Sequence, residues 1–427
     1  MNRAHPLRFA ALIVGLLGLL VSSCAVTERT TSTASTAAAS ATTHSAPPLL
    51  LISLDAFRWD YCALHPDQTP HLRQLMREGV SARGMISAFP SNTFPNHYTI
   101  ATGLYPSHHG IINNEFFDPR LGQFFHYNVA SSIRDPRWWG GEPIWITAVR
   151  QNRPSAAYFW VGSEAEIGGR RPTFWKPFDP NAAFEPRLEE LMGWLQLPPD
   201  RRPAVTAFYL EETNSIGHKF GPDSPELIAA IKLQDDRIGT IMDRLNAAHL
   251  AVNLVVVSDH GMTSVSPERV VLLNRYLDPA TVQIDFDGPV CGLRPRSGDV
   301  AALLKTLASL PHAKAWRVED LPARFHVDGN NPRNPPIWIV PEEGWEIYTQ
   351  ARLDSYLGRF SKGDHGYDPA FTSMRGILIA HGPSFKSDGR VVDPVENVHV
   401  YNLLCAALHL TPAPNDGDDR LVRQMLR

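Results

Sequence analysis

The sequence predicts an α/β protein built on a doubly wound, mainly parallel sheet, with a smaller inserted cap subdomain. Three observations predict it. Four short apolar runs each stop at polar residues: Leu49 to Leu54 at Asp55, Val205 to Leu210 at Glu211-Glu212, Leu254 to Val257 at Ser258-Asp259-His260, and Ile377 to Ala380 at His381-Gly382. Continuous apolar runs of this length read as strands of a parallel sheet buried on both faces. Helix-like stretches lie between them, at Thr69 to Glu78, Pro225 to Asn246 and Val395 to His409. Finally, 427 residues with 43% hydrophobic and 20% charged content can bury one large core with an insertion. In such sheets ligands bind at the carboxyl ends of the strands, where Asp55 and Asp259-His260 would converge.

At the N-terminus, Arg3 and Arg8 precede an apolar run from Phe9 to Val21 that is followed by Ser22-Ser23-Cys24. This reads as a bacterial lipoprotein signal over residues 1–23, with Cys24 as the lipidated residue. The expected location is the periplasmic side of a membrane, the outer membrane in preference. Residues 24–48 are Ser, Thr and Ala with few large apolar side chains, a composition that forms a tether rather than a core. Folding is expected from Leu49 to the C-terminus. Cys62, Cys291 and Cys405 remain, none in a C-x-x-C pair, so at most one internal disulfide is possible and buried thiols are the simplest account. A net charge of -4 without a long basic stretch argues against a gripped nucleic-acid duplex.

Between Phe89 and Tyr98 the chain reads Phe-Pro-Ser-Asn-Thr-Phe-Pro-Asn-His-Tyr, followed by a helical pattern closed by Gly103. Thr93 fits the N-cap with Pro95 in the first turn, where helix amides favour an anion facing its hydroxyl. The segment by itself leaves open whether Thr93 reacts or only caps. About 263–362 forms the cap-like insertion, with strand-like Val282 to Phe286 and Ile337 to Val340, a helix-like Val300 to Leu310, and a surface loop at Asp328 to Pro336. Two triplets, Asp259-His260-Gly261 and Asp364-His365-Gly366, supply imidazole and carboxylate followed by glycine, a pairing that points to a two-metal hydrolytic site. No G-x-S-x-G, H-E-x-x-H or G-x-x-x-x-G-K-[ST] motif is present, which removes serine hydrolases, zincins and P-loop enzymes.

Taken in order, Asp55, Thr93 to Tyr98, His109 to Asn114, Trp160 to Glu164, Tyr209 to Glu212, Gly217 to Pro222, Ser258 to Met262 and Gly363 to Asp368 resemble the nucleotide pyrophosphatase/phosphodiesterases of the alkaline phosphatase superfamily. The resemblance runs from about Leu49 to the C-terminus. It implies an alkaline phosphatase-like fold and two zinc ions, one held by Asp55, Thr93, Asp259 and His260, the other by Asn214, His218 and His365. It also implies Thr93 as nucleophile through a phospho-threonine intermediate, release of nucleoside 5'-monophosphate, and Asn114 as a donor to a phosphoryl oxygen. Phe94 and Phe178 match the aromatic pair that sandwiches a base, the second more usually Tyr, and Tyr209 lines the same pocket. The partners implied are a small nucleotide or other phosphodiester and, through the lipid alone, a membrane.

One position departs from the family pattern. Where relatives read Glu-Glu-Pro-Asp-x-x-Gly-His, this chain has Glu211-Glu212-Thr213-Asn214-Ser215-Ile216-Gly217-His218. An amide oxygen can coordinate but carries no charge, so one metal should bind more weakly. Two alternatives stay open at this point: a phosphomonoesterase of the same superfamily, and an attenuated nucleotide-binding lipoprotein.

Overall fold

The computed structural model describes residues 46–427 other than Leu357. The leader, Cys24 and nearly all of the tether lie outside the described residues. Eight strands form the main sheet: β1 (Leu49–Leu54), β2 (Val80–Ala82), β3 (Ser155–Tyr158), β4 (Phe174–Lys176), β5 (Val205–Leu210), β6 (Asn253–Val257) and, after an insertion that carries four strands of its own, β11 (Leu378–His381) and β12 (Arg390–Val392). Their spatial order is β12-β2-β11-β6-β1-β5-β3-β4. The central β1, β5 and β6 are parallel, with Leu54 opposite Leu210 and Ser53 opposite Val257. Alternate residues of β1 enter opposite layers: Leu49 and Leu51 join one apolar cluster, Leu50, Ile52 and Leu54 the other. Burial on both faces is why these strands read as unbroken apolar runs, each such side chain contributing roughly 1.5–3 kcal/mol.

Helices α1 (Pro70–Glu78), α2 (Thr93–Thr102), α3 (Glu212–Phe220) and α4 (Pro225–Ala247) cross between strands or stand at their ends. Ser224 caps α4 by accepting from the Leu227 amide, and Pro225 occupies its first position. The insertion holds a four-stranded antiparallel sheet, β7 (Val282–Phe286), β8 (Cys291–Pro295), β9 (Ala313–Arg317) and β10 (Ile337–Pro341), with α5 (Val300–Leu307) beside it. Phe325 of the insertion stacks on Phe89 at 4.0 Å, so the two cores meet. Cys62, Cys291 and Cys405 are buried free thiols. No helix among the described residues is long and apolar enough to cross a membrane.

Four expectations are corrected by the structure. The run Ile377 to Ala380 forms a strand, β11, but it lies antiparallel to β6, with Leu378 opposite Val257 and His381 opposite Leu254. His381 therefore sits at the far end of the sheet. Its chain has already passed the carboxyl edge through Gly376, which bridges Met85, and must descend from there. Thr93 is the first residue of α2 rather than its cap: Asn92 occupies the cap position with extended backbone, which releases the Thr93 hydroxyl. The helix near the C-terminus, α6 (Val400–Ala407), starts later than its pattern because Val395-Glu396 pairs with Met85-Ile86 and a 3-10 turn follows. The Asp328 to Pro336 loop is not a surface feature throughout. Its Arg333 is buried, paired with Asp118 at 2.7 Å, and donates to the carbonyls of Gly110, Trp138 and Arg137.

Candidate active site

The carboxyl ends of β1 and β6 meet the start of α2, and the three segments converge on one point. Asp55 follows directly on β1, and Asp259 and His260 follow β6 after Ser258; all three are fully buried. His260 Nε2 lies 3.0 Å from Asp259 Oδ2, 3.5 Å from Asp55 Oδ1 and 3.2 Å from Thr93 Oγ1. Neither Asp55 Oδ1 nor Asp259 Oδ2 has a hydrogen-bond partner among the described residues. Two buried carboxylates this close raise each other's energy unless positive charge, from the neighbouring imidazoles or from a bound cation, offsets them. Burial, then Asp259, pushes the Asp55 carboxyl up to about 7. Burial works the same way on Asp259, but His260 and His97 outweigh it and hold that carboxyl well below the usual range. At His260 burial disfavours the charge, yet Asp259 outweighs it and lifts the imidazole to about 9. The cluster thus attracts positive charge, and the residue types suit a metal of zinc character.

A second cluster stands beside it. His218, on α3, points its Nε2 at His365 Nε2 across 3.2 Å. The other nitrogen of each ring meets a carbonyl, His218 Nδ1 that of Gly363 at 2.9 Å and His365 Nδ1 that of Ser91 at 3.1 Å. A carbonyl only accepts, so each Nδ1 carries the proton and both Nε2 lone pairs face one another, an arrangement suited to a shared cation. Burial, reinforced by His260 and His218, holds His365 well below the ordinary imidazole value and so neutral. Asn214, on the same helix as His218, keeps a buried Oδ1 with no hydrogen-bond partner among the described residues. Asp364 Oδ1 lies 3.9 Å from Nδ1 of His218, the nitrogen already given to Gly363, and its carboxylate is close enough to His218 and His365 to belong to the same group of possible ligands. The rings of His260 and His365 stack at 3.6 Å, which sets the two clusters side by side.

Both triplet glycines are needed for close approach. A side chain at Gly261 would meet the Ser373 carbonyl oxygen at 2.0 Å. Gly366 has φ of +115°, and a side chain there would meet the Asn92 side-chain oxygen at 2.7 Å, so both space and backbone disfavour another residue. Around the mouth, Asn114 Oδ1 accepts from the Phe94 amide at 2.9 Å, which leaves its Nδ2 as a donor. The Phe94 ring packs edge-on to Tyr127 and Phe125. Phe178 is exposed, and its ring lies 6.0 Å from that of buried Tyr209.

Two contacts escaped the sequence reading. Tyr209 donates its hydroxyl to Asp55 Oδ2 at 2.5 Å, fixing the carboxylate from behind. His97, fully buried, reaches the Thr93 carbonyl at 3.0 Å, Asp259 Oδ2 at 3.2 Å and Ser53 Oγ at 2.8 Å. It ties α2 to both central strands. The spacing of His97 four residues after Thr93 on α2 was the available signal.

This arrangement has close counterparts. The family model for type I phosphodiesterase / nucleotide pyrophosphatase matches residues 49–368. A venom phosphodiesterase of Crotalus durissus collilineatus is 38% identical over 395 residues, covering 89% of this chain and 46% of that protein. The chain spans about half the length of the curated relatives it matches. Murine ectonucleotide pyrophosphatase / phosphodiesterase 5 superposes with a TM-score of 0.83 at 35% identity, covering 89% of this chain and 100% of that one. An inactive variant of the same murine protein, in complex with AMP, also gives 0.83, at 34% identity with the same coverage. Matching over three quarters of its length, and sharing the alkaline phosphatase-like α/β fold, the chain belongs to the type I phosphodiesterase / nucleotide pyrophosphatase family.

Proposed function

We propose that this protein is a zinc-dependent phosphodiesterase that cleaves nucleotide phosphodiester or pyrophosphate bonds and releases nucleoside 5'-monophosphate. The single observation that carries this reading is the convergence of Thr93 Oγ1, Asp55 Oδ1, Asp259 Oδ2 and His260 Nε2 beside the facing Nε2 atoms of His218 and His365. The partnerless oxygens of Asp55, Asp259 and Asn214 fit bound cations. Asp55, Thr93, Asp259 and His260 would hold one ion, and Asn214, His218 and His365 a second. Bound there, the ions would lower the hydroxyl pKa of Thr93 and offset phosphoryl charge.

The residues of the chain supply the rest. Thr93 Oγ attacks phosphorus as the bond to the non-transferred alcohol or phosphate breaks. A phospho-threonine forms, and water then displaces Thr93 to release the monophosphate. Asn114 Nδ2 donates to a phosphoryl oxygen as charge develops there. Phe94 and Phe178 flank the base, a task suited to stacking because every base has a π-face. The AMP complex of the murine relative supports a nucleotide in this place. The leader ending at Cys24 would anchor the enzyme by lipid on the periplasmic side, with the Ser/Thr/Ala tether holding the catalytic domain off the membrane.

The test is hydrolysis of bis(p-nitrophenyl) phosphate by zinc-loaded protein. Turnover is expected in the wild type and lost in Thr93→Ala. Absence of turnover in both wild type and Asn214→Asp would sink the enzyme reading. Nucleoside 5'-phosphodiesters should exceed p-nitrophenyl phosphate in kcat/KM, and the reverse preference would instead indicate a monoesterase. Elemental analysis should give two zinc ions per chain; one ion would show that Asn214 does not serve as a ligand.

A further inference from the structure

Two aromatic side chains flank the first cluster, and one carboxylate joins the segments that carry them. Phe94 follows Thr93 directly, while Phe178 lies beside Tyr209, whose hydroxyl holds Asp55. The Phe94 side is a packed unit. Its ring meets those of Phe125 at 5.8 Å and Trp139 at 6.3 Å, and Trp139 Nε1 donates to the Ile133 carbonyl at 2.9 Å. Arg134, the next residue, is thereby tied to that side through its backbone.

The Phe178 side is built differently. Phe178 is exposed and lies just past the edge strand β4, and Pro177 between them has no amide to donate. Its own amide donates to Glu164 Oε1 at 3.0 Å. The other oxygen of that carboxylate, Oε2, lies 2.9 Å from both Nε and Nη2 of Arg134. Glu164 is buried, on a turn held by two bonds to the Trp160 carbonyl, from the Ser163 amide at 3.0 Å and its hydroxyl at 2.7 Å. Gly162 in this turn has φ of +87°, and a side chain there would meet the Trp139 ring at 3.0 Å. Both oxygens of Glu164 are thus committed, one to each aromatic side.

We infer that the Arg134–Glu164 pair is a staple that fixes the spacing of Phe94 and Phe178, and that the two act as positioning residues for nucleotide selectivity. The inference rests on the proposed stacking of a base by these two rings and deepens it. A surface arginine contributes little by itself, but this one holds a buried carboxylate whose second oxygen carries the Phe178 amide through a charge-assisted bond. Without Arg134 the carboxylate turns toward water, and Phe178 keeps its ring but loses its fixed place. Stacking acts on the bound base rather than on the reacting phosphorus, so the loss falls on binding of nucleotides.

Steady-state kinetics of the full-length, zinc-loaded protein test this with two substrates, thymidine 5'-(p-nitrophenyl phosphate) and bis(p-nitrophenyl) phosphate, the second carrying no nucleobase. Arg134→Met changes an exposed side chain, so folding is not at stake. It should lower the ratio of the two kcat/KM values by about three- to tenfold, within the worth of one stacked base, with the loss in KM for the nucleotide rather than in kcat. In a Phe178→Ala background the same substitution should lower the ratio no further, because the staple acts through that ring. An unchanged ratio in Arg134→Met, a loss confined to kcat, or an equal additional loss in the Phe178→Ala background overturns the inference. Should Phe178→Ala by itself leave the ratio unchanged, the stacking reading fails and takes this inference with it.

Discussion

Replacing Tyr209 with Phe removes one hydroxyl and leaves the ring. That hydroxyl donates to Asp55 Oδ2 at 2.5 Å, while the other oxygen of the same buried carboxyl faces His260 Nε2 and the proposed ion. The Phe178 and His97 ring contacts, at 6.0 and 5.1 Å, survive the change, so packing is kept. A hydrogen bond to a charged buried group contributes about 1.5–3 kcal/mol, most of it felt when the carboxylate is ionised. In the metal-free protein burial pushes the Asp55 carboxyl up to about 7, so near neutral pH much of it is protonated and depends less on the donor. Metal binding requires the ionised form. The loss should therefore fall on metal affinity, at about ten- to a hundredfold, with the pH midpoint of binding displaced upward by about one to two units. Zinc titration against a chromophoric competing chelator reads the first quantity, and its repetition across pH reads the second. Activity restored by excess zinc is the accompanying expectation. Unchanged zinc affinity in Tyr209→Phe would refute the claim that this hydroxyl holds the carboxylate for the ion.

Two further outcomes follow from the same geometry. Asp55 and His260 both have folded values raised above their ordinary ones, to about 7 and about 9. For Asp55 the folded state keeps a proton that the unfolded chain has lost, so stability falls between the ordinary value of 3.8 and about 7. For His260 the contribution is complete below 6.5 and lost as pH rises through about 9. His365, held neutral in the folded state, adds stability as pH rises to 6.5, so it is from 6.5 up to about 9 that metal-free protein should weaken, measured by denaturant unfolding, whereas zinc affinity should tighten over the same range as the competing protons leave. Stability of the metal-free form that climbs across that range would contradict this. At the mouth, Phe178→Ala should reduce kcat/KM for nucleotide diesters by about five- to a hundredfold, the worth of one stacked base, and leave bis(p-nitrophenyl) phosphate nearly unaffected in steady-state assays.

Much of this site was readable in advance because chemistry-bearing residues directly follow strands of unusual composition. Asp55 and Asp259-His260 are announced by runs of buried aliphatic residues that have few other interpretations. Strand direction was not, since an antiparallel strand buried on both faces carries the same composition, and β11 misled for that reason. The edge strand Phe174–Lys176 and the Ser-Ala-Ala-Tyr strand Ser155–Tyr158 were missed because small or half-exposed residues give no apolar run. Asn92 and Thr93 are both good caps, so the helix start could be placed on either. Tyr209 and His97 act through partners 154 and 162 residues away in sequence, a pairing that no local pattern encodes.

Arg333 has a consequence for how the molecule is made. Its guanidinium joins a loop near the end of the insertion to the Asp118 carboxylate and to backbone carbonyls more than 190 residues earlier. His365, needed for the second cluster, follows still later. As the chain leaves the ribosome, Thr93 and the first cluster's Asp55 emerge long before either. A nascent chain stopped short of the insertion would leave Asp118 without its buried partner, and removing one member of such a pair costs about 3–5 kcal/mol. Formation of the working pocket is thus a late event governed by long-range closure rather than by local helix formation. The insertion is accordingly a structural closure of the catalytic domain, and excising it as a module should yield a chain that aggregates during synthesis rather than a smaller enzyme.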